Sequence, residues 1–272
     1  MIGAIIGDVV GSRFEFNNIK SKNFKLIDKD SCFTDDTVLT IAVMDWLLHA
    51  VPKCSKTAAQ YLQKWARKYP HAGYGGRFNC WKDEDNPKPY NSCGNGSAMR
   101  ISGVGWVSDS KEETKLLSDI ITGVTHNHPE GMKGAFVVSQ LIYMARTGSS
   151  KKEMKEFAEQ YYNLGFDYDE LVKNYRHEAE ICQITVPQAL YCFFISEDFE
   201  DCLRTTISIG GDCDTTAAIS CAVAEAFFNQ IPKSLIDGVI NKLPDDMIKI
   251  IEEFDKVFPN KVCYHLNEQK EE

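Results

Sequence analysis

Two short segments carry the side chains best suited to chemistry. One is Phe33-Thr34-Asp35-Asp36-Thr37, the other Gly210-Gly211-Asp212-Cys213-Asp214-Thr215-Thr216. Each sets two carboxylates and neighbouring hydroxyls directly ahead of an apolar run, Val38–Leu48 and Ala217–Phe228 respectively. Asp and Thr at such places cap helices and complement the helix dipole. One Asp per helix would serve that purpose. Two apiece bring like charges together near a core, which costs energy unless a cation neutralises them. Four carboxylates with hydroxyl oxygens make a hard, oxygen-only donor set suited to Mg²⁺ or Mn²⁺. Spacing alone leaves capping and cation binding both open. Gly210 and Gly211 fit a tight backbone approach to a ligand as well as an ordinary loop-to-helix turn.

Three further segments could serve a ligand. Asn91-Ser-Cys-Gly-Asn-Gly-Ser-Ala-Met-Arg100 could turn successive backbone N–H groups toward a phosphate, although it fits neither a Walker loop nor a complete G-x-G-x-x-G; alone it also reads as a surface turn. Thr125-His-Asn-His-Pro-Glu-Gly131 offers His126 and His128. With no third soft ligand at suitable spacing zinc does not fit, and capping or pocket lining is the better reading. Gly7-Asp8-Val-Val-Gly11-Ser-Arg-Phe-Glu15 ends on a glutamate that alone reads as surface, ahead of an irregular stretch suited to a flap.

The elements that must position these segments are helical. Ala58, Tyr61, Leu62, Trp65, Ala66 and Tyr69 follow i, i+3, i+4 spacing behind Ser55 as N-cap. Ser110 with Glu113, and Ser150 with Glu153, form capping boxes ahead of apolar periodic runs. Further helices are expected over 134–146, from Pro187 in a first turn to about Ile195, and over 234–243 and 245–258, split by Pro244. Val38–Leu48 and Ala217–Phe228 are apolar nearly all round and belong at the centre of a bundle. No alternating strand, βαβ rhythm or repeat is present. The reading is all-α and single-domain, with long irregular stretches at 17–32 and 70–96 and a solvated tail over 268–272.

The chain of 272 residues is long enough to bury a sizeable core. Its net charge of −9 argues against a broad nucleic-acid-binding face. No apolar run is long enough for a membrane span, and the N-terminus lacks a basic start and cleavage site. Ten cysteines without a C-x-x-C pair read as reduced thiols. A cytoplasmic monomer is expected.

In order along the chain, GAIIGDVVGSRFE (3–15), FTDDT (33–37), GNGSAMR (94–100), THNHPEG (125–131), VPQAL (186–190), GGDCDTTAAI (210–219) and AEAFFNQIP (224–232) resemble the ADP-ribosylglycohydrolase family. Seven motifs in order, spanning 3 to about 232, make the likeness specific. The resemblance implies an orthogonal multi-helix bundle over 1–267 with a cleft holding two divalent cations, Mg²⁺ or Mn²⁺. It implies Thr34, Asp35, Asp36, Asp212, Asp214 and Thr215 as ligands, with Asp214 shared between the metals. Glu15, Asp35 and Asp36 would serve the reaction. Ser92 and the backbone of Gly94, Asn95, Gly96 and Ser97 would hold the diphosphate, and His126 would line the ADP-ribose pocket. Phe78, Trp81 or Tyr90 would cover the adenine. Cys213 departs from the family pattern, where a hydroxyl residue is usual, and suggests oxidant sensitivity.

The implied reaction is hydrolysis of the bond between the distal ribose of ADP-ribose and an acceptor on a protein or small molecule, through an oxocarbenium-like transition state. Two other readings use the same residues. One is a two-metal phosphohydrolase acting on a nucleotide diphosphate. The other is a non-catalytic member that binds ADP-ribose or serves a structural role.

Overall fold

The computed structural model describes residues 1–175 and 180–259. The expected tail at 268–272, and the domain boundary at 267, lie outside the described residues. In chain order the helices are α1 (Gly3–Gly11), α2 (Asp35–His49), α3 (Ser55–Lys68), α4 (Gly76–Trp81), α5 (Gly96–Met99), α6 (Ser102–Val107), α7 (Lys111–Gly123) and α8 (Pro129–Arg146). Then follow α9 (Lys151–Ala158), α10 (Tyr168–Asn174), α11 (Cys182–Ile195), α12 (Phe199–Ile209), α13 (Cys213–Phe228), α14 (Lys233–Ile240) and α15 (Asp245–Val257). There is no strand among the described residues; one isolated bridge joins Gly94 to Ile181. The all-α expectation holds, and one continuous hydrophobic core runs through the bundle.

α13 is the central helix. It packs against α1, α12, α11 and α8, and is buried from Cys213 through Ala226. α2 is likewise buried from Asp36 through Leu47. Both are apolar nearly all round because neighbours cover every face.

Among the described residues, α1 packs most closely against α13. Gly3, Gly7 and Gly11 recur every fourth residue and so share one face of α1. A Cβ on Gly3 would overlap the Cys221 carbonyl and the Glu225 side chain. On Gly7 it would strike the backbone of Ala217 and Ala218, and on Gly11 the backbone of Cys213 and Asp214. The two backbones therefore meet directly. Glu225, with no exposure, accepts the N–H groups of Ile2 at 3.0 Å and Gly3 at 2.7 Å, which caps α1 and fixes its register along α13.

Several boundaries differ from expectation. α3 is capped by Cys54 with Thr57, and Ser55 is its first residue. α8 begins earlier than position 134, at Pro129 behind His128. Pro187 lies inside α11, which starts five residues before it. At α7 the Glu113 carboxylate accepts from the Asp109 N–H, so the expected box is only half formed, whereas Ser150 and Glu153 complete theirs. The stretch 70–96 contains α4 and the start of α5; 17–32 carries no helix.

Gly7→Ala is expected to cost about 2–3 kcal/mol, because neither backbone can retreat. Gly76→Ala, where an added methyl meets nothing within 4 Å, is expected to be neutral or slightly stabilising. Urea unfolding of the two variants checks this; equal stability would remove the close-approach argument.

Candidate active site

The first acidic segment hangs from Asp8, midway along α1 and fully buried. Its carboxylate accepts the Thr34 N–H at 2.9 Å, the Thr34 hydroxyl at 2.8 Å, the Thr37 N–H at 3.0 Å and the Thr37 hydroxyl. The start of α2 is thus capped by a carboxylate from another helix. Thr34 is the local N-cap, its Oγ1 accepting the Asp36 N–H at 3.3 Å. Asp35 and Asp36 then occupy the first turn.

The second segment is held from the other side. Gly210 and Gly211 have φ of 81° and 73°, so the turn into α13 uses the left-handed region that glycine tolerates. Asn95 donates from Nδ2 to Asp212 Oδ2 at 2.6 Å and to the Thr185 hydroxyl at 3.1 Å. Asn18 donates to the Gly211 carbonyl at 3.0 Å and accepts the Gly211 N–H at 2.8 Å, while also donating to the Glu15 carbonyl at 3.0 Å. One asparagine therefore ties the Glu15 backbone to the Asp212 turn.

The two segments meet. The Thr215 hydroxyl donates to Asp36 Oδ2 at 3.1 Å. Oxygens of Glu15, Asp212 and Asp214 lie within 4.8 Å of one another. Asp36 Oδ1 is buried without a hydrogen-bond partner. Burial, reinforced by Asp8 and Asp212, pushes the Asp35 carboxyl up to about 8. Burial and the neighbouring carboxylates likewise push Asp36 and Asp214 far above the carboxylate range. An orphaned carboxylate oxygen among carboxyls that resist ionisation is a donor set short of a cation. Divalent metal fits these residues.

The acidic cluster forms one side of a cleft of about 450 Å³. Other lining residues include Arg77, Phe78, Tyr90, Arg100 and His126. The Arg77 guanidinium lies 4.8 Å from the Tyr90 ring centre. Tyr90 and His126 are 6.0 Å apart, centre to centre. The cleft thus joins a cluster of carboxyl groups to a patch of aromatic rings and guanidiniums.

The sequence profile of the ADP-ribosylglycohydrolase family matches residues 1–261. The chain belongs to this family. It is 26% identical to mouse ADP-ribosylhydrolase ARH3, over 86% of this chain and 84% of that protein. It is 27% identical to the ADP-ribosyl-[dinitrogen reductase] glycohydrolase of Rhodospirillum rubrum, over 52% of this chain and 48% of that protein. A solved ADP-ribosylglycohydrolase-related protein complex superimposes with a TM-score of 0.70 at 20% identity, covering 94% of this chain and 95% of the other, which shows the shared fold.

Within this ADP-ribosylglycohydrolase fold, Glu15, Thr34, Asp35, Asp36, Ser92, Gly94, Asn95, Gly96, His126, Asp212, Asp214 and Thr215 all line the cleft. Asp35 and Asp36 stand outside the tight Glu15–Asp212–Asp214 trio, to which Thr215 links Asp36. Ser97 does not line the cleft: its buried hydroxyl donates to the Gly131 carbonyl at 2.9 Å. The amide nest expected of this loop is also partly spent. The Gly94 N–H goes to the Ser92 hydroxyl at 3.1 Å and the Asn95 N–H to the Glu180 carbonyl at 3.0 Å. Of the three aromatic candidates, Phe78 and Tyr90 reach the cleft, and Trp81 is packed beneath at 1% exposure. His128 caps α8 by accepting the Glu130 N–H at 3.1 Å.

Cys213 faces away from the cleft, 3.6 Å from the Phe14 carbonyl. Burial and Asp212 push its thiol up, which disfavours the reactive thiolate and removes the basis for oxidant sensitivity. The described cysteines are free thiols, and Cys263 lies outside the described residues. Asp8, Arg77 and Arg100 were missed from the sequence. For Asp8 the signal was a single acid inside an apolar, glycine-spaced helix.

Because the folded state holds Asp35 near 8 and the unfolded chain releases that proton near 4, metal-free stability falls as pH rises between those values. Saturating Mg²⁺ or Mn²⁺ is expected to restore it, raising the melting temperature at about pH 8 by roughly 5–10 °C. Melting curves with EDTA and with metal at about pH 5 and 8 check this; a cation-independent curve at the higher pH would count against the site.

Proposed function

We propose that the protein is a dinuclear-metal-dependent hydrolase that cleaves the glycosidic bond between the distal ribose of ADP-ribose and an acceptor, releasing ADP-ribose. The observation that carries this reading is the orphaned Asp36 oxygen, among Asp35, Asp36 and Asp214 carboxyls pushed above their ordinary range, sharing one cleft with an aromatic and arginine-lined patch. The likeness to proteins named ADP-ribosylhydrolase and ADP-ribosyl-[dinitrogen reductase] glycohydrolase agrees with it.

Thr34, Asp35, Asp36, Asp212, Asp214 and Thr215 would hold two cations, Mg²⁺ or Mn²⁺, with Asp214 shared. Bound metal supplies Lewis acidity, orienting ribose hydroxyls and lowering the pKa of a water. The chain's own residues do the rest. Asn95 fixes the Asp212 carboxylate in one orientation through its 2.6 Å hydrogen bond. Asp8 fixes the first turn of α2, so that Asp35 and Asp36 project from a rigid cap. The Thr215 hydroxyl donates to Asp36 and keeps lone pairs to offer the cleft. Glu15, beside Asp212 and Asp214, takes up or returns a proton at its carboxylate as the sugar–acceptor bond breaks. Anionic oxygens of the diphosphate would meet the loop of Ser92, Gly94 and Gly96, with Arg77 and Arg100 supplying positive charge. Phe78, Tyr90 and His126 would face the nucleobase.

Asp35→Ala and Asp214→Ala are each expected to lower turnover by at least 10³-fold while circular dichroism shows the helical fold retained. EDTA should abolish activity and Mg²⁺ or Mn²⁺ restore it. The assay is release of free ADP-ribose from a panel of ADP-ribosylated proteins and O-linked ADP-ribose metabolites. Release of AMP or phosphate instead would identify a phosphohydrolase. ADP-ribose binding with no turnover on any acceptor would identify a binding protein.

A further inference from the structure

His126 lines the cleft with one ring nitrogen already committed. Its Nδ1 lies 2.8 Å from the Thr125 hydroxyl, and that hydroxyl accepts the Arg100 Nη2–H at 2.7 Å. Thr125 and Arg100 are buried, at 0% and 1% exposure. A guanidinium only donates. The Thr125 oxygen therefore spends a lone pair on Arg100, and its own proton has one acceptor in reach among the described residues, His126 Nδ1. Were Nδ1–H the donor instead, the hydroxyl proton would be buried without an acceptor, which is the costlier arrangement. With Nδ1 accepting, the ring carries its proton on Nε2. Burial and the Arg100 and Arg77 charges hold His126 well below its ordinary range, so the ring stays neutral.

Nε2 is then the free end of the relay. It reaches over the loop at Gly94 and Gly96, where an added Cβ would sit only 3.4 and 3.3 Å from it. Among the described residues it has no protein acceptor, and His126 faces the cleft. We propose that Arg100 and Thr125 are positioning residues that lock His126 as its neutral Nε2–H tautomer, presenting a fixed hydrogen-bond donor to an acceptor atom of the nucleotide ligand. The ligand part rests on the reading of the cleft as an ADP-ribose site; the tautomer does not. The relay also gives the buried Arg100 a task that a hydrophobic residue of similar volume could not perform.

The test is ¹⁵N nuclear magnetic resonance of the full chain labelled at histidine, with the His126 signals assigned through His126→Asn. The wild type is expected to show a pyridine-type Nδ1 and a protonated Nε2 throughout the neutral pH range. Thr125→Val should convert this to a mixture of tautomers and weaken ADP-ribose binding by about tenfold; Thr125→Ser should keep both properties. A wild-type ring protonated on Nδ1, or a Thr125→Val ring that stays locked on Nε2, overturns the proposal. If Thr125→Val does not fold, the wild-type spectrum decides alone. A locked Nε2–H ring in a chain that ignores ADP-ribose supports the relay and sinks the ADP-ribose reading. Tight ADP-ribose binding with the opposite tautomer does the reverse.

Discussion

The direct backbone contact between α1 and α13 is the constraint from which the rest of the site follows. Three glycines on one face of α1 cost helix stability, roughly 1 kcal/mol each relative to alanine. What that cost obtains is register. With Glu225 gripping the first turn of α1 and Gly11 pressed on Asp214, the position of every residue between is determined along the central helix. Asp8 is thereby aimed at the start of α2, and Glu15, just beyond the helix end, arrives beside Asp212 and Asp214. A side chain on that face would separate the helices and move both carboxylates together.

The carboxylates so gathered are in conflict with one another. Burial raises the Asp8 carboxyl as well, but its four hydrogen bonds oppose that rise, and it serves structure rather than the cleft. Asp35, Asp36 and Asp214 do not escape the conflict, and they hold protons that an ordinary surface aspartate would release. Organisation of this kind is uneconomical for stability and suits a function in which external positive charge completes the cluster. Arg100, buried with Nε and Nη1 unpartnered, is the opposite sign of the same economy. Both kinds of group are left incompletely satisfied by the protein itself, and both line the same cleft.

Much of this was legible in the sequence where chemistry and local spacing coincide. The pairs Asp35/Asp36 and Asp212/Asp214 stand out because two acids ahead of an apolar run exceed what capping needs. The central burial of α2 and α13 followed from their lack of a polar face. What could not be read were roles assigned by partners distant in the chain. Asp8 looks like one acid in an apolar helix until Thr34 and Thr37 are placed beside it. Asn95 looked like a phosphate-loop residue, whereas its side chain holds Asp212 from 117 positions away. Ser97 reads as loop hydroxyl and is turned inward by Gly131. Cap positions slipped by one residue at α3 because Thr57 completes the box with Cys54, a residue type rarely considered for that place.

The order of the chain has its own consequence. The glycine face belongs to residues 3–11 and the surface it needs belongs to residues 213–228. During synthesis, the ribosome adds roughly 200 further residues between the two, about 10–40 s at ordinary elongation rates. Throughout that interval α1 can pair with the start of α2 through Asp8, but its glycine face has no docking partner. That face must wait for α13, and the acidic cleft, which needs Asp212 and Asp214, closes among the last events of folding rather than the first.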